Sequence, residues 1–526
     1  MDTSLARQET LIAALRRALG EAVEVVETHI SWVLLAGDYA YKIKKAVDLG
    51  FLDFSTLEKR RFYCGEELRL NRRLAPDLYL EVVPIAGSAD HPVLNGPGPA
   101  IEYAVKMRRF PQSCLLDQVL LRGELTPETV DAIARRIADF HGRTAIADNE
   151  SPFGTPERAH LPVAENFAQI RPRLRDNEDL NRLDKLERWS EREYQSRIDA
   201  LAERKARGLV RECHGDLHLG NMVLLDGEAV PFDCIEFSEN LRWIDVISEA
   251  AFLAMDLQDR GRPDLARRFL NAYLEQTGDY EGLEVLRYYL VYRAMVRAKV
   301  ACIRAGQAKQ SAGHWKQYRN HIELAADFTR PLQPFLAITH GLSGSGKTTV
   351  TQSLLEATSL FRVRSDVERK RLYGLKPEAR SGAGTGEGMY SLEAGERTYR
   401  RLAEVARGIV QPGFSAIVDA TFLKRRERAA FQELAQGLGV PFVILDVTAP
   451  ENLLRERVKQ RMQHRRDASE ADITVLENQL RNSEPLDASE LAVAIEVDTE
   501  QTENVQALVQ RLTDMTRSAT PNYDPK

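Results

Sequence analysis

The sequence has little cysteine: five residues in 526 (Cys64, Cys114, Cys213, Cys234 and Cys302), odd in number, widely spaced and without a Cys-x-x-Cys pair. That argues against a disulfide framework or a zinc ribbon and fits small buried thiols in a reducing compartment. Long hydrophobic runs are absent as well. Stretches such as Trp32–Ala36 and Ala416–Val418 fall far short of the roughly 20 residues that span a bilayer. The opening Met1-Asp2-Thr3-Ser4 lacks the basic-then-apolar order of a signal peptide. The expectation is a soluble, cytoplasmic protein with no membrane partner. Glycine and proline, 32 and 22 residues, are too few for a collagen-like or low-complexity chain. Strong net charge is also missing. With 72 basic and 78 acidic residues the sum is −6, which argues against a uniformly basic coat for nucleic acid or lipid.

What is present is an ordinary globular balance, 43% apolar and 29% charged. At about 150 residues per domain the length suggests three or four folding units. From Pro331 onward there are 26 basic and 27 acidic residues, yet the bases cluster at Arg362–Arg371, Lys424–Arg428 and Arg455–Arg466. Taken alone, such clusters read as solvated helix faces.

Periodicity gives an amphipathic helix over 5–19, strands at 31–35 and 39–43, a helix over 56–74, and strands at 78–84 and 101–107. Helical patterns cover 126–143 and 163–207, a β-rich interlude covers 210–233, and long helices fill 244–329. Arg330-Pro331-Leu332-Gln333-Pro334 reads as a linker. After it, strands at 335–339, 361–364, 415–419 and 441–447 alternate with helices at 391–409, 426–437 and 450–463, the signature of a parallel α/β sheet. The segmentation is 1–112, 113–330 and 331–526. Gly382-Ala-Gly384-Thr-Gly386-Glu-Gly388 follows no strand and reads as a mobile loop, and 516–526 as a disordered tail.

Gly341-Leu-Ser343-Gly344-Ser345-Gly346-Lys347-Thr348 matches G-x-x-x-x-G-K-[ST] between a strand and a helix. Its glycines let successive N–H groups, those of Ser343, Ser345 and the neighbouring Thr349 included, turn inward around phosphates. Lys347 reaches the β/γ oxygens and the Thr348 hydroxyl can ligate Mg²⁺. Asp419 ends a hydrophobic strand, the place of a carboxylate that helps hold Mg²⁺. Asp366 ends another, with Arg369 one helical turn on. It is read as the base for an acceptor hydroxyl, and the alternative is a helix N-cap made by Ser365 or Asp366. Arg457 and Arg461, at i, i+4, with Arg465-Arg466 beyond, read as a lid. Arg461 would neutralise the transferring phosphoryl group, while Arg457 and Arg369 would meet substrate.

A second constellation is His214-Gly215-Asp216-Leu-His218-Leu-Gly-Asn221, with Asp233 in Pro231-Phe-Asp233-Cys-Ile-Glu236. Kinase chemistry needs a carboxylate to orient and deprotonate the attacking hydroxyl, an Asn five residues on for metal, and a second carboxylate on a following strand. Asp216, Asn221 and Asp233 fit these roles in turn. A metal-hydrolase cluster of His214, Asp216 and His218 would leave Asn221 and Asp233 unexplained. His214 then braces the loop, and His218 braces it or faces the substrate. Upstream, Lys42 is the candidate for the α/β-phosphates, with Lys44 as rival. Glu67 is its candidate ion-pair partner, with Glu66 beside it. Asp245 is read as structural support.

The P-loop segment, through GLSGSGKTT, RSDVERKRL, IVDATF and the arginine lid, resembles the P-loop kinases that include polynucleotide 5′-hydroxyl kinase, gluconate kinase and zeta-toxin-like kinases. The resemblance covers about 335–500 and implies transfer from ATP to a hydroxyl. Residues 25–325, through HGDLHLGN and FDCIEF, resemble the aminoglycoside phosphotransferase family and its choline-kinase-like relatives. That resemblance implies a two-lobed α+β kinase-like fold using ATP and Mg²⁺, with Asp216 as base, Asn221 and Asp233 on the metal, and Met107–Pro111 as the adenine hinge. It also implies an acceptor pocket built by helices of 145–207 and 244–329. No G-x-G-x-x-G precedes Lys42. The combined expectation is a bifunctional kinase for small-molecule hydroxyl acceptors. The alternatives are a nucleic-acid 5′-hydroxyl kinase in the C-terminal domain, tracking phosphates along Lys424–Arg428 and the lid, or one domain that senses ATP and regulates the other.

Overall fold

A computed structural model of the chain describes residues 3–20, 22–50, 52–307, 311–379, 388–464, 469–501 and 504–518. Packing sorts the chain into two units, Met1–Asp256 with Tyr292–Ile322, and Leu257–Val291 with Glu323–Lys526.

In the first unit, α1 (Thr3–Leu19) buries Leu11, Ile12 and Leu15 against Trp32, Leu34, Ile43 and Ile85 of an antiparallel sheet. The strands are β1 (Glu24–Glu27), β2 (Ser31–Ala36), β3 (Tyr39–Lys44), β4 (Tyr79–Gly87), β5 (Pro92–Leu94) and β6 (Ala100–Arg108), in the order β1-β2-β3-β6-β4-β5. Between β3 and β4, α2 (Leu57–Asn71) starts where the Thr56 hydroxyl accepts the Lys59 N–H. Its buried residues are Arg60, Cys64, Glu67, Leu70 and Asn71. After β6 the unit turns helical: α3 (Leu116–Leu121), α4 (Pro127–Arg143), α5 (Pro156–Ile170) and α6 (Asn177–Ala206). Thr126 and Thr155 cap α4 and α5 just ahead of a proline at the first helical position, as caps and fixed φ favour. Strands β7 (Val210–Glu212), β8 (Met222–Leu225), β9 (Glu228–Pro231) and β10 (Trp243–Asp245) form two small antiparallel pairs, β7 with β10 and β8 with β9. In chain order there follow α7 (Glu239–Arg242), α8 (Val246–Asp259), α9 (Pro263–Thr277), α10 (Leu283–Gln307) and α11 (Ala312–Thr329), of which residues 257–291 and 323–329 fall in the second unit.

The second unit is built on an all-parallel sheet in the order β12-β13-β11-β14-β15. Its strands are β11 (Leu336–His340), β12 (Leu360–Arg364), β13 (Ser415–Asp419), β14 (Phe442–Thr448) and β15 (Ala494–Asp498). Its helices after the linker are α12 (Lys347–Ala357), α13 (Ser365–Leu372), α14 (Leu392–Val410), α15 (Arg425–Leu438), α16 (Glu451–His464), α17 (Ile473–Asn482), α18 (Ala488–Leu491) and α19 (Val505–Ser518). The α/β expectation holds. Strand β15 escaped the sequence reading because it is an edge strand with Ile495 and Val497 buried and Glu496 exposed, too short a pattern to stand out.

The packing also divides the chain differently from a cut at Arg330–Pro334. Residues 257–291 belong with the P-loop unit, because α9 covers the edge strand β12. The Asn271 amide accepts the Arg362 N–H (2.8 Å) and donates to the Leu360 carbonyl (3.4 Å). Glu275 takes the buried Arg362 guanidinium (2.9 Å), and Arg268 pairs with Glu356 (2.6 Å). An exposed edge is a template for unwanted pairing, and here a side-chain amide occupies it. Among the described residues, no helix is long and apolar enough to cross a membrane. Residues 382–387 of the glycine-rich stretch, Arg465-Arg466 and the tail beyond 518 lie outside the described residues.

Candidate active sites

In the first unit β3 delivers two lysines to one face, since side chains two apart on a strand point the same way. Both meet Glu67, which α2 brings in fully buried: Lys42 Nζ lies 2.8 Å from one carboxylate oxygen and Lys44 Nζ 2.7 Å from the other. Lys42 also reaches Asp233 (2.6 Å), whereas Lys44 pairs with the buried Glu236. Lys42 is thus the lysine beside Asp233, and Lys44 is a second, interior member of the cluster. Burial opposes charge on Lys42, Lys44, Glu67 and Glu236. Asp233 and Glu67 nevertheless hold the Lys42 ammonium well above its usual range, and Lys42 with Lys44 pull the Glu67 carboxyl below its own. Glu66 faces outward to Arg69 (2.8 Å), which leaves Glu67 as the partner.

The candidate catalytic loop, His214–Asn221, sits between β7 and β8. Asn221 donates its amide to Asp216 Oδ2 (2.8 Å) and to the Asp216 carbonyl (3.0 Å), which leaves its own oxygen for other work. His214 donates through Nε2 to the Phe232 carbonyl (2.8 Å) and accepts the Asp216 N–H at Nδ1 (3.3 Å), so it braces the loop as expected. His218 accepts the Gly220 N–H (3.1 Å) and sets Nε2 3.5 Å from Asp216 Oδ2. Burial works against charge on Asp216, but His218, His214 and Arg297 hold its carboxyl well below the usual carboxylate range. Asp233 adopts a positive φ of 64° and donates its backbone N–H to the Tyr79 hydroxyl oxygen (3.2 Å). Arg109, in the hinge segment Met107–Pro111, ties its N–H to the Asp38 carbonyl at the tip of the β2–β3 hairpin (2.8 Å). Asp245 is a buried structural residue: it takes Arg204 through both oxygens (2.7 and 2.9 Å) and accepts the Ile247 N–H at the start of α8.

In the second unit the P-loop, between β11 and α12, lines a cavity of about 1060 Å³ together with Asp366, Arg369, Tyr399, Asp419, Arg457 and Arg461. Gly341 carries a φ of 146°, and a Cβ there would stand 2.3 Å from the Val447 carbonyl, so only glycine fits. Gly344 and Gly346 also take positive φ. The Ser343 N–H is held by Gln479 Oε1 (2.9 Å), and Lys347 donates to the Gly341 and Leu342 carbonyls (3.0 and 2.7 Å). Thr348 and Thr349 line the cavity, and the Ser345 hydroxyl lies 3.5 Å from Lys347 Nζ. Burial pulls the Lys347 ammonium down to about 8, and Arg461 adds to the fall that Asp419 and Asp366 oppose. Thr348 donates its hydroxyl to Asp419 Oδ2 (2.8 Å). Hydroxyl and carboxylate oxygens here, and amide and carboxylate oxygens of Asn221 and Asp233 in the first unit, are the donor set a hard Mg²⁺ ion takes.

Asp366 lies in the first turn of α13, paired with Arg369 (3.0 Å). Arg364 occupies the cap position and makes no capping bond to the helix N–H groups, so the cap reading of Ser365 or Asp366 falls. The Arg457 guanidinium donates to Thr499 (2.7 and 2.8 Å) and to the Gly344 carbonyl (3.3 Å), so it braces the P-loop while lining the cavity. Arg461 donates to the Ala471 carbonyl (2.8 Å) at the cavity wall. Gln479 and Thr499, both missed in the sequence, hold P-loop backbone from more than 130 residues downstream, with no motif to mark them.

The fold and these two sites define an ATP-dependent phosphotransferase. Residues 64–287 match the model of the phosphotransferase enzyme family, and residues 336–486 match a P-loop AAA domain model. Kinases of these families use ATP with Mg²⁺. The chain belongs to one family with an uncharacterized protein of Mycobacterium tuberculosis, to which it is 31% identical over 456 residues, 85% of this chain and 88% of that one. An amicoumacin kinase structure gives a TM-score of 0.41 at 15% identity, covering 61% of this chain and 95% of that one. A sugar kinase of Janibacter sp. gives 0.26 at 22%, covering 36% and 99%.

Proposed function

We propose that the chain carries two ATP·Mg²⁺ phosphotransferase sites, each acting on a hydroxyl of a small molecule. The observation that carries this is that each unit assembles its own complete set. One has Lys42, Glu67, Asp216, Asn221 and Asp233; the other has Lys347, Thr348, Asp366, Arg369 and Asp419. When bound, Mg²⁺ draws negative charge from the phosphates. Lys42 and Lys347 do the same from the protein side. Asp216 orients the acceptor hydroxyl and accepts its proton as the new O–P bond forms and the bond to the leaving ADP oxygen breaks. A carboxylate with so depressed a pKa is a weak base. That suits a loose transition state, in which positioning outweighs proton removal. In the second site Asp366, steadied by Arg369, takes the corresponding place.

A nucleic-acid acceptor is disfavoured by the pairing of the basic clusters. Arg428 is buried against Glu490, Lys424 pairs with Glu484, Arg425 with Asp487, and Arg455 with Glu451 and Glu477. Little surplus charge is left along Lys424–Arg428 for a phosphate track, and salt-dependent binding of single strands would reverse this reading. The deciding experiment incubates a metabolite extract and labelled ATP with wild-type, Asp216→Asn and Lys347→Ala protein. Two labelled products, each lost in one variant, are expected. A variant that leaves every product intact removes the catalytic role of its domain and favours a regulatory one.

A further inference from the structure

The loop bearing Asp216 is held by side chains that no motif marks. Gly215, one residue before the proposed base, has both backbone groups taken by buried side chains. Its N–H donates to Glu249 Oε1 (2.7 Å), and its carbonyl accepts Arg293 Nη1 (3.2 Å). Glu249 uses its other oxygen to accept His141 Nε2–H (2.7 Å). Arg293 is fixed in turn by the Ser248 carbonyl (3.1 Å) and hydroxyl (3.2 Å) and lies over the Phe252 ring. Further along the loop, the Leu219 N–H donates to the buried Asp256 (3.0 Å). His141, Glu249, Asp256 and Arg293 are all at most 3% exposed and come from α4, α8 and α10. Gly215 itself takes a φ of 89°, and a Cβ there would stand 2.8 Å from the Leu241 carbonyl, so the backbone can be gripped only from its polar groups.

Cys213 belongs to the same neighbourhood. His141, Cys213 and Glu249 could each offer one ligand atom within 4.8 Å of the others, a set a soft cation could use. Glu249 and His141, however, are already satisfied by each other and by Gly215. Burial raises the Cys213 thiol pKa well above its usual value, so a thiolate is costly there.

We infer that His141, Glu249 and Arg293 form a positioning device for the phosphotransfer loop: Glu249, oriented by His141, and Arg293 clamp Gly215 from both sides and thereby fix the direction of Asp216. The inference rests on the reading of Asp216 as the base, and it refines that reading by naming what aims it. The device works through hydrogen bonds to both backbone groups of Gly215, and on the Glu249 side what it needs is an acceptor oxygen. Glu249→Gln, which keeps an acceptor oxygen, therefore preserves it, and Glu249→Ala abolishes it.

The test uses the full chain carrying Lys347→Ala, so that ATP turnover comes from the first site. Hydrogen exchange over 211–223 is followed by mass spectrometry alongside affinity for a fluorescent ATP analogue with Mg²⁺ and release of ADP from ATP. In Glu249→Ala the loop amides exchange about 10- to 100-fold faster, as expected when a buried donor loses a charged acceptor. Analogue affinity stays within about twofold while turnover falls by about 100-fold, the mark of lost aim rather than lost binding. Glu249→Gln restores slow exchange and turnover. Should Glu249→Ala unfold, His141→Gln and Arg293→Lys carry the same readouts. Unchanged loop exchange in these variants overturns the inference, as does stoichiometric zinc on the purified chain that Cys213→Ser removes. If the Lys347→Ala chain neither binds the analogue nor releases ADP, the phosphotransferase reading fails, while the exchange data still judge the clamp.

Discussion

At the scale of single residues, the ion cluster beneath β3 shows how one motif lysine needs a second. Lys44 and Glu236 are at most 4% exposed, so removing either leaves an uncompensated buried charge. Lys44→Met is expected to cost about 3–5 kcal/mol in urea unfolding. The double variant Lys44→Met/Glu236→Gln should recover most of that loss. Lys347 makes a prediction in pH. Its pKa of about 8 in the free protein rises again beside phosphates, so Mg·ATP binding takes up a proton above pH 8. Affinity at the P-loop should then fall as pH climbs past 8, by up to about tenfold per unit. The free protein gains stability over the same interval, because the unfolded chain then binds the extra proton. Calorimetry in buffers of different ionisation heat, in a Lys42→Met background, reads the uptake directly. A binding heat independent of buffer would refute it.

At the scale of elements, the edge of the parallel sheet depends on one amide. Asn271→Ala strands the Arg362 N–H and the Leu360 carbonyl, and should cost about 1–3 kcal/mol by thermal or denaturant unfolding. It should also promote association through β12. The contrast between Asn271 and the P-loop shows what was legible beforehand. Phosphate chemistry compresses its donors into contiguous runs, so Gly341–Thr348 and His214–Asn221 declared themselves, and alternating elements around them gave both folds. Glu249, Arg293, Asn271, Gln479 and Thr499 act across the chain on backbone groups. In sequence each is one more polar residue in a helix or loop. The Thr499 bonds of Arg457 were hidden for the same reason: spacing put it on the lid helix but could not show its partner.

At the scale of the whole molecule, the boundary of the P-loop unit is not a point in the sequence. A fragment beginning at Pro331 lacks α9 and exposes the edge of β12. Such a fragment should unfold at a clearly lower temperature than the corresponding transition of the full chain, and scanning calorimetry of the two compares them. A fragment as stable as the full chain would show that α9 adds nothing. The arrangement also orders events in time. On the ribosome α9 emerges roughly 83 residues before the strand it covers, which at usual elongation rates is about 4 to 17 s. For that interval its apolar face has no sheet to rest on, so the nascent chain passes through a stage in which a chaperone has a defined segment to shield.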